Sequence, residues 1–130
     1  MTLRREISVE GPRDVDEVWD RYVRPGRWPE WSPQIRAVDY PLEVLRPATS
    51  GVVHGPAGLR VRFQVVDVDG RNALRTWSWI VSVAGVRLAL RHTVQATAAG
   101  TRTGLTVEGF APVVASYLPV ARVALRRLVR

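Results

Sequence analysis

The sequence predicts one α+β domain in which a curved antiparallel sheet wraps a long C-terminal helix around an apolar cavity. Two periodicities carry this prediction. From Leu59 to Gly109 apolar and polar residues alternate, as in strands with one packed and one solvated face. From Ala111 to Arg130 apolar residues recur every three or four positions, which indicates a helix. The length of 130 residues fits a single domain over residues 1–130.

The composition narrows the class of protein. Hydrophobic residues make up 46% and charged residues 24%, which are ordinary globular values. Cysteine is absent, so disulfides and thiolate metal sites are excluded. No apolar run follows Arg4 and Arg5, which argues against a signal peptide, and the mostly apolar stretch from Phe110 to Val123 is too short for a bilayer. We therefore expect a cytosolic protein without membrane insertion.

The first third of the chain predicts a strand, a helix and a second short helical turn. Arg4–Val9 is the strand, and Gly11-Pro12 ends it. Arg13–Val23 is the helix, whose acidic first turn complements the helix dipole and is not interpreted as a metal cluster. Its apolar stripe consists of Val15, Val18, Trp19 and Tyr22. The segment from Trp28 to Pro33 is a compact aromatic-proline turn.

The remaining elements up to the tail are predicted as strands. Ile35–Tyr40 and Gly51–His54 flank a loop, and a turn at residues 55–58 leads into four alternating strands. Turn signals separate these four strands at Asp69-Gly70, Ala84-Gly85 and Ala98–Gly100, which predicts an antiparallel meander. The four strands are the run from Leu59, Leu74–Val83, the run from Val86, and Thr103–Gly109. The solvated face carries Arg60, Arg62, Arg87 and Arg91.

The tail helix is amphipathic. Its stripe consists of Val114, Tyr117, Leu118, Ala121, Leu125 and Leu128. Pro119 has no N–H to donate, so we expect a kink or a local break there.

A cavity between sheet and helix is predicted from side-chain size. The sheet offers the large rings of Trp77 and Trp79, whereas the helix offers the small Val114, Ala121 and Ala124. Large groups on one wall and small groups on the other leave a mainly apolar pocket. The alternative is that the tryptophans simply fill the core, and periodicity alone does not decide between the two.

A family resemblance favours the pocket. The run from Ile7 to Trp19, followed by Trp28-Pro29-Glu30-Trp31-Ser32-Pro33-Gln34-Ile35, resembles the opening of the SRPBCC superfamily. That group includes START domains, Bet v 1-like proteins and the polyketide cyclase/dehydrase family. Trp77-Ser78-Trp79, the segment from Gly85 to His92, and Gly100-Thr101 follow in matching order, so the resemblance covers nearly the whole chain. It implies a helix-grip fold: a seven-stranded curved antiparallel sheet, two short N-terminal helices and a long C-terminal helix over a deep cavity.

The resemblance also implies a function. It implies binding of a small hydrophobic molecule, such as a lipid or polyketide, by a carrier or sequestering protein without metal or cofactor. We expect no nucleic-acid partner. Monomer and homodimer both stay open, because an exposed first or second strand could pair with another chain. The candidate ligand-binding residues are Trp28, Trp31, Val61, Phe63, Arg75, Trp77, Trp79, Val81, Leu88, Leu90, His92, Val94, Val114 and Tyr117.

His92 is the one candidate for chemistry. Its strand phase points it at the cavity, where an imidazole could act as acid or base or orient a ligand. The alternative is a structural histidine bonded to a carbonyl or a tyrosine. Arg75 shares the phase of Trp77 and either guards one end of the pocket or is a solvated strand-end residue. His54 lies beside a turn, where we expect it to be exposed, and neither histidine has a zinc-motif neighbour.

A cyclase or dehydratase that uses His92 is the alternative function. The polyketide aromatase/cyclase branch resembles this chain around Trp28-Pro29-Glu30 and Trp77-Ser78-Trp79. In that branch polar side chains follow on the cavity face of the Trp-x-Trp strand, where this chain has Val81 and Val83. A tyrosine expected after the Trp-Pro-Glu is replaced by Ile35. An apolar wall cannot exchange protons with a substrate, so these departures favour binding without turnover.

The net charge of +7 comes entirely from arginine. A positive field could attract nucleic acid, anionic lipid or an acidic partner. The arginines are spread from Arg4 to Arg130 without a dense run or a nucleic-acid motif, and codon usage in a genome rich in G and C accounts for the same composition. An interaction protein is therefore the third hypothesis.

Overall fold

The computed structural model describes residues 1–130 as seven strands and three helices. The strands are β1 (Thr2–Gly11), β2 (Ala37–Asp39), β3 (Ser50–His54), β4 (Arg60–Asp69), β5 (Arg75–Val83), β6 (Val86–Thr97) and β7 (Gly100–Phe110). The helices are α1 (Val15–Val23), α2 (Trp28–Trp31) and α3 (Ala111–Val129). Single 3₁₀ turns lie at Pro25–Arg27 and Pro56–Gly58.

The strands form one antiparallel sheet in the order β1-β7-β6-β5-β4-β3-β2. The predicted meander from β4 to β7 is confirmed. β1 and β7 are longer than Arg4–Val9 and Thr103–Gly109 because they pair with each other along their whole length, from Thr2 opposite Phe110 to Gly11 opposite Thr101. β2 is shorter than the predicted Ile35–Tyr40, since this edge strand pairs only with β3.

Two local features shape the middle of the sheet. A bulge in β4 places Val66 between the residues paired with Trp79 and Ser78, and such an extra residue bends and twists a strand. Ala84 and Gly85 join β5 to β6 with φ of 49° and 80°, the geometry of a two-residue turn with both central residues left-handed. Glycine adopts this conformation without strain, whereas Ala84 does not.

Helix α1 begins two residues later than predicted. Asp14 is its N-cap, with an extended backbone and a carboxylate that accepts the N–H of Asp16, so the helix itself starts at Val15. At the other end, the indole N–H of Trp28 donates to the carbonyl of Tyr22 at 2.8 Å, and that of Trp31 donates to the carbonyl of Arg21 at 3.2 Å. The two tryptophans of α2 thereby satisfy carbonyls of the last turn of α1 that lack intrahelical partners.

The sequence predicted a kink or a local break at Pro119; helix α3 is continuous through that residue, so the break does not occur. Pro119 and Ala115, whose carbonyl loses its intrahelical donor, are both exposed, and water can satisfy that carbonyl. The C-terminal end of α3 is held by the buried Arg21, whose guanidinium donates to the carbonyls of Arg127 at 3.2 Å and Leu128 at 2.8 Å. The backbone N–H of Arg13 donates to the carbonyl of Val129 at 2.9 Å.

The core lies between the concave face of the sheet and the packed faces of α1, α2 and α3. It is one continuous hydrophobic cluster that reaches from Ile7 on β1 to Val129 on α3. None of the three helices combines the length and the apolarity that crossing a bilayer requires.

Candidate ligand-binding site

An aromatic cluster fills one end of the space between sheet and helix. Trp77 lies in its middle and stacks on the imidazole of His92, with ring centroids 4.5 Å apart and an interplanar angle of 9°. Trp79 lies 5.0 Å from Trp77, and Trp28 stacks on Trp77 at 5.8 Å. Only a small cavity of about 30 Å³ is lined by these rings together with Ala121 and Ala124 of α3. The expectation that the main pocket lies between these tryptophans and Ala121 and Ala124 is therefore corrected.

A larger apolar cavity of about 230 Å³ lies beside the aromatic cluster, under the N-terminal half of α3. Valine and leucine side chains from β3 to β6 form its floor, and Val113 and Tyr117 of α3 line it from the other side. Gln34 is the single lining residue that is not hydrophobic, and the half-exposed Leu59 lies at the rim. The lining residues are Gln34, Ile35, Val53, Leu59, Val61, Trp79, Val81, Val83, Leu88, Leu90, Val113 and Tyr117.

The sequence-predicted residues divide among three environments. Val61, Val81, Leu88 and Leu90 line the apolar cavity. Trp28, Trp31, Trp77 and His92 line the small cavity, whereas Trp79 and Tyr117 line both. The core residues Phe63, Val94 and Val114 line neither.

Arg75 also lines neither cavity. Its guanidinium donates to the carboxylate of Asp16 at 2.6 Å and so joins β5 to α1. His54, at the far edge of the sheet, lies 2.7 Å from a carboxylate oxygen of Asp39 on the neighbouring strand. No group of three or more potential metal-ligating side chains occurs in the fold.

Sequence reasoning missed several lining residues. Gln34 lies in the loop between α2 and β2, where no periodicity indicates a direction, and Val113 lies in the first turn of α3, outside the predicted stripe. Leu59 lies just before β4, at the start of the alternating run, and alternation alone does not show whether such a residue lines a cavity.

His92 is bonded on both ring nitrogens. Its Nε2 lies 3.0 Å from the indole Nε1 of Trp79, and its Nδ1 lies 3.1 Å from the hydroxyl of Tyr22. The Tyr22 hydroxyl lies 2.9 Å from Oγ1 of Thr103, which in turn lies 2.9 Å from the carbonyl of Thr93. This chain of hydrogen bonds crosses the buried core from β5 through β6 and α1 to β7.

The donors and acceptors in this chain are fixed by its two ends. An indole N–H only donates and a carbonyl only accepts. His92 Nε2 therefore accepts from the indole N–H of Trp79, and Nδ1 carries the proton and donates to the hydroxyl of Tyr22. That hydroxyl donates to the hydroxyl of Thr103, which in turn donates to the carbonyl of Thr93. A second proton on His92 would put two donors face to face at Nε2.

Burial supports the same protonation state. Desolvation lowers the pKa of His92 to about 3, so the ring is neutral near pH 7. The neutral ring has one nitrogen lone pair that can accept a hydrogen bond, and it accepts from the indole N–H of Trp79. An imidazole in this state cannot take a proton from a substrate unless the bond to Trp79 breaks.

Three polar groups of the residues that line the small cavity have no protein partner. The indole N–H of Trp77 and the amide oxygen Oε1 of Gln34 are buried without a hydrogen bond. No protein group bonds the hydroxyl of Tyr117, and burial raises the pKa of that hydroxyl to about 12, so it stays protonated. Such groups can fix the orientation of a ligand in an otherwise apolar site.

Comparison with known proteins places this geometry in a family. The model of the family described as "Polyketide cyclase / dehydrase and lipid transport" matches residues 2–130. The comparison with curated proteins gives no match.

Solved structures share the fold at low identity. A protein of Mesorhizobium loti is 14% identical with a TM-score of 0.81, and the match covers 97% of this chain and 93% of that one. A hypothetical protein of Helicobacter pylori is 16% identical with a TM-score of 0.77 over 99% and 86% of the two chains. Ara h 8.0201, which has the Bet v 1-like helix-grip fold, is 13% identical with a TM-score of 0.73 over 98% of each chain.

Proposed function

We propose that this chain, which belongs to the polyketide cyclase/dehydrase and lipid transport family, holds a small hydrophobic molecule in the apolar cavity and releases it unchanged. The family and the fold support hydrophobic ligand binding in general. The observation that carries the finer proposal is the apolar cavity of about 230 Å³ itself, which is lined mainly by β3 to β6 and α3. Transfer of an apolar molecule from water into such a cavity is favourable in proportion to the area that leaves water.

Binding without turnover is supported by the state of the polar groups. Cyclisation and dehydration both need a group that removes a proton from carbon or delivers one to a leaving hydroxyl. His92 is the one histidine near the cavities, and its neutral ring is committed to Trp79 and Tyr22. No aspartate, glutamate or arginine lines either cavity. These contacts favour a carrier or sequestering protein over the cyclase alternative.

The experiment compares small apolar probes on three forms of the protein. Toluene and cyclohexane are titrated while the tryptophan emission is followed, because Trp79 lines both cavities. Val81→Phe places a ring in the apolar cavity, and Val66→Phe is the matched control on the exposed bulge of β4. We expect a saturable change in emission for the wild type and Val66→Phe, and its loss in Val81→Phe.

Two results would contradict the proposal. One is an unchanged emission with every probe. The other is an equal response of Val81→Phe and the wild type, which would locate the probe outside the cavity. Native mass spectrometry of the freshly purified protein supplies an independent measurement, since a carrier retains its ligand as a discrete added mass that Val81→Phe lacks.

A further inference from the structure

We propose that the small cavity receives one hydroxyl group of the ligand, and that the ligand is an uncharged small alcohol whose hydrocarbon part lies in the apolar cavity. This inference rests on the proposed function and specifies its ligand class. It starts from a pattern among the buried tryptophans. Trp28, Trp31 and Trp79 each donate their indole N–H to a protein acceptor, whereas Trp77 does not.

The orphaned N–H of Trp77 points to a ligand acceptor. Trp77 is 1% exposed, and its ring stacks on His92 and on Trp28. The small cavity includes Trp77 in its lining, and the proposal places the unpaired N–H at that cavity. A buried donor without an acceptor is costly, and buried polar groups almost always have a partner.

A complementary acceptor lies on the same lining. Gln34 lines both cavities, and its Oε1 is buried without a donor. The hydroxyl of Tyr117, which lines both cavities as well, is a second group without a protein partner. The group that suits an N–H donor and a carbonyl acceptor at once is a hydroxyl, because a single oxygen both accepts and donates. An ether oxygen would satisfy Trp77 and leave Gln34 unpaired.

The lining also selects against charge. Neither cavity contains an ionised side chain, since His92 is neutral and Tyr117 stays protonated. A carboxylate or phosphate buried here would lose its hydration without gaining a cation, and an ammonium group would lose its own without gaining an anion. A fatty acid is thus a poorer fit than the alcohol of the same length.

The volumes show that a chain of eight carbons fits. The small cavity of about 30 Å³ has room for at least one oxygen-sized group, at the roughly 30 Å³ that a water molecule occupies in the liquid. By the same measure the apolar cavity of about 230 Å³ has room for at least about seven or eight carbon-sized atoms. Straight-chain 1-octanol fits both.

The experiment compares three probes of similar length by calorimetric titration at pH 7. The probes are 1-octanol, its isomer 1-methoxyheptane, which accepts but does not donate, and octanoate, which is charged. We expect 1-octanol to bind roughly three- to tenfold more tightly than the ether, the range that one hydrogen bond allows. We expect octanoate to bind more weakly than both.

Gln34→Leu isolates the acceptor. The variant should lower the affinity for 1-octanol by roughly three- to tenfold and leave the affinity for 1-methoxyheptane unchanged, so that the two probes become equal. Gln95→Leu, on an exposed position of β6, is the matched control and should keep the difference. The donor, the indole N–H of Trp77, is followed in the wild-type protein. Its resonance in a nitrogen-15 spectrum should move downfield when either neutral probe binds. Trp77→Phe identifies that resonance.

The outcomes separate this inference from the proposed function. Equal affinities for the alcohol and the ether in the wild type, or a Gln34→Leu variant that keeps the difference, would overturn the hydroxyl site while apolar binding stands. A Trp77 resonance that stays in place when the probes bind would show that the probe oxygen does not reach this N–H, with the same consequence. Failure of all three probes, together with toluene and cyclohexane, would overturn both proposals.

Discussion

Acidification from pH 7 to pH 5 should lower the free energy of unfolding by about 2 kcal/mol through His92 alone. In the folded protein burial lowers the pKa of this imidazole to about 3. In the unfolded chain its pKa is about 6.5. Between these two values the unfolded state binds a proton that the folded state rejects. Stability is therefore fully present above about pH 6.5 and is lost progressively as the pH falls toward 3.

The magnitude follows from the unfolded-state titration. Well inside the window each pH unit costs about 1.4 kcal/mol. Because the titration has barely begun at pH 7, the loss from pH 7 to pH 5 is about 2 kcal/mol. The carboxylate of Asp20, whose pKa Arg24 and Arg27 lower from 3.8, contributes only at lower pH, so it adds nothing to the change from pH 7 to pH 5.

The assay is urea unfolding followed by tryptophan emission at half-unit steps of pH, with His92→Leu as the test variant. At pH 7 the variant should be less stable than the wild type by about 1–3 kcal/mol, because the indole N–H of Trp79 loses its acceptor. Its stability should then stay nearly constant down to pH 5. His54→Gln, which removes the partly exposed histidine beside Asp39, is the control and should keep the wild-type slope.

Either of two results would refute this reasoning. A wild-type protein equally stable at pH 5 and pH 7 would mean that His92 accepts a second proton in the folded state, and the assigned chain of hydrogen bonds would be wrong. A His92→Leu variant with the full wild-type slope would place the titrating group elsewhere. In the first case His92 would again be available for acid–base chemistry.

Three further predictions concern packing, turn geometry and capping. Val81→Phe places a ring in the apolar cavity and should raise the unfolding free energy by about 1 kcal/mol. Val65→Phe, at a fully buried position of the same sheet, should lower the unfolding free energy by about 1–3 kcal/mol. Equal losses at both sites in thermal unfolding would contradict the assigned cavity. Ala84→Asn should raise the unfolding free energy by about 1 kcal/mol in the same assay, because asparagine tolerates the left-handed backbone that Ala84 adopts. A lower unfolding free energy in this variant would contradict the assigned turn geometry. Arg21→Met removes the side chain that donates to the carbonyls of Arg127 and Leu128 at the end of α3. The variant should speed amide exchange in the final turn of that helix and lower the unfolding free energy by about 1–3 kcal/mol. Unchanged exchange would show that Arg21 does not hold the helix end.

Much of the fold could be predicted because its signals are local. The alternation from Leu59 to Gly109 determines which side chains share a face, and the turn residues determine where each strand ends. Boundaries shifted where a partner strand decided the length, as for β1 along β7 and for the short β2. The local break expected at Pro119 does not occur. The cost of a proline in a helix depends in part on whether the freed carbonyl can reach water, and access to water is a property of the packed surface.

The candidate site could be predicted only in part. The strand phase of Val61, Val81, Leu88 and Leu90 placed them on the inner face, and they line the apolar cavity. Phase does not say whether an inner side chain meets space or another side chain. Phe63 and Val94 share the inner face and are buried but do not line the apolar cavity, whereas Gln34 lines it from a loop, where strand phase does not apply.

The sequence by itself determined the elements, their order and the inward set of side chains, because these follow from periods of two and 3.6 residues that any stretch of chain displays. Only the tertiary structure decided where the space lies and which polar groups remain unpaired. Both depend on distances between residues far apart in the chain. Trp28, Trp77 and His92 stack into one block and close the space beside Ala121, whereas short side chains leave it open farther along the sheet.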